Sequence, residues 1–149
     1  MDVRGRICTL YPLSWQGAVV LPTKFDVRPV ADSYQGALVA ELTKAGLDPR
    51  MPVPGMPDQG LVIRAQIVRA DPGSRWLRWL FSMFAGAAAF EVEGQVGDAA
   101  APFGQFHAEG KRRWAYAGGN SQALLTDAAA QTGRRAALQI LAAMSARMG

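Results

Sequence analysis

Apolar positions recur along the chain with two periods, and these set the expected elements. Residues 61–69 alternate, with Leu61, Ile63, Ala65 and Ile67 on one side and Arg64 and Gln66 on the other. That pattern predicts a strand with one buried face. Residues 90–96 repeat it, setting Phe90, Val92, Gly94 and Val96 against Glu91, Glu93 and Gln95. Residues 103–115 repeat it again, with Phe106, Ala108, Gly110 and Trp114 inward and Gln105, His107, Glu109, Lys111 and Arg113 outward. Two earlier runs are also strand-like. Residues 7–13 carry Pro12, which fits an edge strand or extended lead-in, and residues 18–21 form a short β-branched run closed by Pro22.

Helical spacing appears twice. Tyr34, Leu38, Leu42 and Ala45 recur every three or four residues after Asp32 or Ser33 as the cap, and Gly46 follows at the C′ position. After the breaker Gly118 and Gly119, a last helix starts at Asn120 or Ser121 and runs to about Arg147. Its buried stripe is Leu125, Ala129, Thr132, Ala136, Ile140 and Ala143, while Arg134, Arg135 and Gln139 read as a solvated face. The small residues on the stripe predict close approach to a sheet. Residues 48–60 hold four prolines and two glycines and read as an internal loop, because the pieces on either side are each too small to fold alone. The order is strand, helix, strand, strand, strand, helix. The expected fold is α+β, two helices packed on one face of a mainly antiparallel four-stranded sheet, as a single domain over residues 1–149.

Composition adds limits. A chain of 149 residues buries a real core without metals or disulfides. Half of it is apolar and about a fifth charged, which disfavours disorder. The net charge of +4 permits anionic partners without requiring one, since the basic residues are scattered apart from Arg75 and Arg78, residues 111–113, and Arg134 with Arg135. The single cysteine, Cys8, forms no intramolecular disulfide and leaves the redox compartment open. No stretch reaches the length of a spanning helix, and the first residues lack the architecture of a secretory leader. The protein is then either cytoplasmic or, with a leader removed, periplasmic or outer-membrane-associated.

Candidate chemistry is sparse. A cysteine nucleophile needs a base, and the sole histidine, His107, stands nearly a hundred residues from Cys8. Glu91 and Glu93 share one face of a strand; paired carboxylates suit acid–base work, but alternating glutamates on a half-buried strand read more simply as a polar face, pairing with Arg64, Lys111 or Arg113. No cluster has metal-ligand spacing, and no phosphate loop with a following Lys-Ser/Thr is present. The glycines before the last helix, with Asn120 and Ser121, give only a weak anion-binding signal. The expectation is a protein without catalytic, metal or cofactor residues and without an evident small-molecule substrate.

The stretch from Asp71 to Asp98 stands apart. Pro72 and Gly73 mark a turn. Arg75, Trp76, Arg78 and Trp79 follow, and then an apolar run containing Leu80, Phe81, Met83 and Phe84. These eight residues form the candidate interaction surface. In a helix, Trp76, Trp79, Leu80 and Met83 would share one face, with Arg75, Arg78 and Ser82 on another. Three roles fit: a buried crossover, a subunit or partner interface rich in tryptophan and arginine, or a segment lying on a membrane surface.

The turn at Asp71, Pro72, Gly73 and Ser74, an arginine at 75 or 78, the small residues Ala85, Gly86, Ala87 and Ala88, and the strand from Phe90 to Val96 closing in Asp98 together resemble a known family. It is the bacterial envelope-lipoprotein family of domain of unknown function 4410 (DUF4410). The likeness extends through Gly118, Gly119, Asn120 and Ser121 into the last helix, and back to the first strand and helix. It implies a small α/β envelope domain without known catalysis, usually tethered by a lipidated N-terminal cysteine. Two features depart from the family: Gly5, Arg6 and Ile7 before Cys8 make no lipobox, and residues 80–84 are bulkier than the usual glycine-rich segment. The expected function is a non-enzymatic, lipoprotein-like envelope domain acting by protein binding or self-association, with a membrane surface as a further partner. The alternative is a cytoplasmic basic protein contacting nucleic acid, the less favoured partner, through residues 111–114 with Arg134 and Arg135. An enzyme would need Cys8, His107 and Glu91 or Glu93 to converge.

Overall fold

The computed structural model describes residues 5–15, 27–71, 88–98, 100–112 and 121–148. Among these residues six strands and two helices occur, in the order β1 (Ile7–Leu10), β2 (Ser14–Trp15), α1 (Val27–Lys44), β3 (Asp48–Arg50), β4 (Leu61–Asp71), β5 (Ala88–Gly97), β6 (Pro102–Arg112) and α2 (Ser121–Met148). The strands form one sheet ordered β3-β1-β4-β5-β6, with β2 pairing beside β4. The class is α+β, as the periodicities predict.

The sheet has six strands, not four, and it is mixed. The three long strands β4, β5 and β6 are antiparallel neighbours, while β1 runs parallel to β3 and β4, and β2 parallel to β4. Parallel pairing follows from the connections, because a chain leaving β1 and returning through a helix re-enters the sheet in the same direction. The short β3 lies inside residues 48–60, which read as a loop from composition. Asp48, Pro49 and Arg50 carry no apolar alternation, so only their position beside β1 makes them a strand. The run at residues 18–21 lies outside the described residues.

The first helix begins five residues before its expected cap. Pro29 falls in the first turn of α1, where a missing N–H costs nothing because no intrahelical acceptor exists for it. Ser33 does not cap; its hydroxyl donates to the Thr126 carbonyl of α2 at 2.9 Å. The other end is as expected. Gly46 adopts φ +98°, its N–H donates to Thr43 at 2.9 Å, and Leu47 donates to Leu42 at 3.0 Å. That pair of bonds closes a helix through a left-handed glycine, with Leu47 buried behind it.

Both helices lie over the same apolar side of the sheet. Val30, Tyr34, Leu38 and Leu42 of α1 and Leu125, Ala129, Ala136, Ile140 and Met144 of α2 join Ile63, Ile67, Phe90, Val92, Val96 and Phe106 in one core. Rings of Tyr34 and Phe90 meet at 6.1 Å between centroids. Small residues let α2 settle directly on strand backbone: a Cβ on Gly110 would stand 2.2 Å from the Ala128 carbonyl oxygen. The Thr132 hydroxyl reaches the Phe90 carbonyl at 3.0 Å and the Ala128 carbonyl at 2.7 Å. A register shift between Ile67 and Arg69 bends β4 and returns Ala70 to the core side.

Candidate functional site

The eight candidate interface residues, Arg75, Trp76, Arg78, Trp79, Leu80, Phe81, Met83 and Phe84, lie outside the described residues. What the structure places is the opposite surface of the sheet. Antiparallel registers set Arg64 beside Gln95 and Gln105, Gln66 beside Glu93 and His107, and Arg69 beside Glu91 and Glu109. With Ser14 of β2, the outward residues Arg64, Gln66, Glu93, Gln95, Gln105 and His107 line a shallow depression of about 520 Å³. Period-two alternation dictates this layout: every residue adjacent in sequence to a core side chain must point away from the helices.

Glu91 and His107 meet diagonally across β5 and β6, with Nε2 and Oε1 2.7 Å apart. Glu93 is on the same face. Cys8 is not. It is fully buried on the helix side, and burial, reinforced by the Asp48 charge, pushes its thiol up to about 11. The convergence of Cys8 with His107 that a thiol mechanism needs therefore does not occur. Among the described residues no group of three or more His, Cys, Asp or Glu side chains is placed to hold a metal, and no helix is long and apolar enough to cross a membrane.

The basic positions divide. Lys111 and Arg134 are exposed, whereas Arg135 donates through Nη1 to the Glu109 carbonyl at 2.7 Å. Arg113 and Trp114 lie outside the described residues. Pairing of the glutamates across strands, expected with Arg64 or Lys111, goes instead to His107 in the case of Glu91.

Two polar groupings escape a reading of the sequence. The first anchors the proline-rich loop. The Tyr11 hydroxyl donates to the Asp58 carboxylate, which raises the Tyr11 pKa. The Arg64 guanidinium stacks 3.8 Å over the Tyr11 ring, and its Nη2 stands 3.6 Å from Asp58. Thr9 and Gln59 exchange two hydrogen bonds, hydroxyl to carbonyl at 2.9 Å and amide to hydroxyl at 3.2 Å. Beyond these anchors the loop holds out three exposed apolar side chains, Met51, Val53 and Met56. The second grouping runs down α2. Gln131 accepts from the Lys111 N–H at 2.9 Å; Gln139 accepts from the His107 N–H at 3.0 Å and donates to the His107 carbonyl at 2.6 Å. The cue lay in four-residue spacing of Gln131, Arg135 and Gln139, which alone is indistinguishable from a solvated face.

Comparison with solved structures gives the fold a context. Protein XCC0632 from Xanthomonas campestris, of the DUF330 family model, aligns at TM-score 0.64 and 10% identity over 98% of this chain and 90% of its own. A PelC dodecamer from Paraburkholderia phytofirmans aligns at 0.53 and 12% identity, over 92% and 89%. Lipoprotein GNA1162 from Neisseria meningitidis aligns at 0.51 and 9% identity, over 96% and 97%. At such identities the likeness is one of fold. No curated protein matches the sequence. The model of one family, Domain of unknown function (DUF4410), matches residues 24–146, and the chain belongs to that family.

Proposed function

We propose that this chain is a non-enzymatic, lipoprotein-like domain of the bacterial cell envelope that acts by binding protein, including further copies of itself. The observation that carries the reading is the fold shared, nearly end to end, with a lipoprotein. Self-association draws support from PelC, a dodecamer with the same fold. The loop tip supports a binding role: single exposed apolar residues are ordinary, but three of them, Met51, Val53 and Met56, stand exposed within six residues on a segment fastened at Asp58 and Gln59, a clustering that suits a contact surface.

Two measurements test it. The native gene, with whatever precedes residue 1 and an epitope tag at the C-terminus, is fractionated; recovery with the envelope is expected, and recovery wholly in the cytoplasm would overturn the compartment. Light scattering is then run on the wild type, on Trp79→Glu with Phe84→Glu, and on Val53→Glu with Met56→Glu. A wild type heavier than one chain that falls to a folded monomer in either double variant is expected. A monomer at every concentration, with no partner recovered by cross-linking in cells, would refute binding and assembly together.

A further inference from the structure

Among the described residues β6 ends the sheet, and an end strand presents a row of unpaired N–H and C=O groups to any other strand. Here side chains of α2 take part of that row. Gln139 takes both the N–H and the carbonyl of His107, the double exchange that a residue on a neighbouring antiparallel strand would make. Arg135 serves the Glu109 carbonyl and Gln131 the Lys111 N–H. The geometry is matched. Four residues of helix rise about 6 Å, and two residues of strand span about 6.8 Å, so successive side chains on α2 meet successive outward residues on β6, running in the opposite direction. One step further the series stops, because Ala143 falls opposite Gln105 and has no polar group to offer.

The other end of the sheet is closed differently. The Asp48 N–H points inward, to the Arg6 carbonyl at 2.7 Å. The next residue, Pro49, therefore faces outward, and it has no N–H to give. β3 is also only three residues long.

We propose that β6 is a strand-addition edge held shut by Gln131, Arg135 and Gln139, and that the strand it accepts when the stripe is removed is the β6 of a second copy. The outward residues of β6 carry their own complement. An antiparallel pair of two such strands, centred on Ala108, sets His107 opposite Glu109 of the second copy and Lys111 opposite Gln105, and does so twice by symmetry. Imidazole–carboxylate and ammonium–amide hydrogen-bonding pairs directly across from one another favour that register over the one centred on Glu109, which opposes two carboxylates. The stripe thus works as an internal competitor for the same backbone groups. It keeps intact chains from zipping edge to edge while leaving their other surfaces free.

The test compares the wild type with Gln131→Ala/Arg135→Ala/Gln139→Ala, and with Arg134→Ala as a control on an exposed neighbour. Alanine is the best helix former, so α2 is retained. Amide exchange at His107 and Lys111 is read first, in dilute monomer. The triple variant is expected to lose at least tenfold protection at both amides, and the control none. A synthetic peptide copying residues 102–112 is then added in excess; it is expected to bind the triple variant and restore protection, and to leave the wild type untouched. Light scattering should show the triple variant gaining mass beyond the wild type as concentration rises, and losing that extra mass when the peptide is added. Unchanged protection in a folded triple variant overturns the proposal, as does equal peptide binding by the wild type. Should the triple variant fail to fold, Gln139→Glu serves, since it keeps the acceptor for the His107 N–H and loses the donor to the carbonyl. It should bind the peptide more tightly than the wild type, and no gain in binding would count against the guard.

Discussion

Gly110 lies on β6 directly beneath α2, and a methyl group added there meets helix backbone instead of a movable side chain. The ideal Cβ would stand 2.2 Å from the Ala128 oxygen, 2.7 Å from the Thr132 hydroxyl and 3.0 Å from the Thr132 nitrogen. Ordinary contact requires α2 to retreat by roughly 1 Å, a gap that forfeits a quarter to a half of each dispersion well along the seam. The Thr132 bond to Phe90, now 3.0 Å, would stretch with it, at about 1 kcal/mol. Overpacking of a close-packed seam costs about 1–3 kcal/mol in general. Against this stands the gain from removing a glycine from a strand, about 0.5–1 kcal/mol. Gly110→Ala should therefore destabilise the protein by about 1–3.5 kcal/mol, taken as the overpacking and lost bond less the glycine gain. In a protein of this size that lowers the melting temperature by about 2–14 °C, and it lowers the urea midpoint by roughly 0.7–2.3 M for a slope near 1.5 kcal/mol/M.

The control is the same substitution in helix α1. Gly36 sits in α1 with nothing within 4 Å of its ideal Cβ and is exposed. Gly36→Ala should stabilise by about 0.5–1 kcal/mol, because it removes backbone freedom from the unfolded chain without a new contact. Urea unfolding followed by far-UV circular dichroism reads both variants. Equal signs for the two, or a Gly110→Ala protein within about 0.5 kcal/mol of the wild type, the range of ordinary surface changes, would falsify the placement of α2 against β6.

Two further outcomes follow from single buried groups. The Tyr34 hydroxyl is buried without a hydrogen-bond partner among the described residues, and burial drives its pKa upward; Tyr34→Phe should be neutral or stabilising by up to about 1 kcal/mol, and a loss of more than that in urea melts would show the hydroxyl is satisfied. Cys8 should resist alkylation at pH 8 in the folded protein and react at once in urea, since burial first and the Asp48 charge second raise its thiol from 9.0 to about 11. The raised value sets the sign of the pH dependence: the unfolded chain releases this proton first, so the contribution is intact below pH 9 and is lost as pH rises toward 11. A Cys8→Ala variant should lack that alkaline fall, and an identical fall in both proteins would assign it elsewhere.

How far the sequence reaches depends on what kind of neighbour a residue has. Leu61, Ile63 and Ile67, or Leu125, Ala129 and Ile140, announce their elements because one buried face imposes one period, and all six are buried as expected. Gly46 is equally legible, since few residues other than glycine take a positive φ at a helix end. β3 is not legible, because Asp48, Pro49 and Arg50 become a strand only through β1 beside them. The parallel pairings were open to inference from the strand–helix–strand order, but alternation in the three long strands argued the other way. The face of α2 is the sharpest case. Arg135 and Gln139 are exposed, as expected, and exposure was read as idleness; their partners are backbone atoms twenty-six and thirty-two residues away. Periodicity identifies which side chains leave the core but says nothing of what lies beyond them.

That last point bears on assembly. On this proposal, a sheet whose β6 end is partly capped by side chains and whose other end carries Pro49 resists strand addition while it remains intact, so association of folded chains turns to side-chain surfaces. The apolar loop tip at Met51, Val53 and Met56 and the charged outer face around Arg64, Glu91 and Glu93 are such surfaces, and they respond to conditions in opposite ways. Contact through the tip strengthens on warming from low temperature, because apolar burial weakens in the cold, and it tolerates salt. Contact through the outer face weakens as salt screens its charges. Backbone pairing through β6 would show neither signature, but would be lost on adding the 102–112 peptide. The three routes to an oligomer are thus separable in one preparation, and the capped edge predicts that the third is the weakest in the native chain.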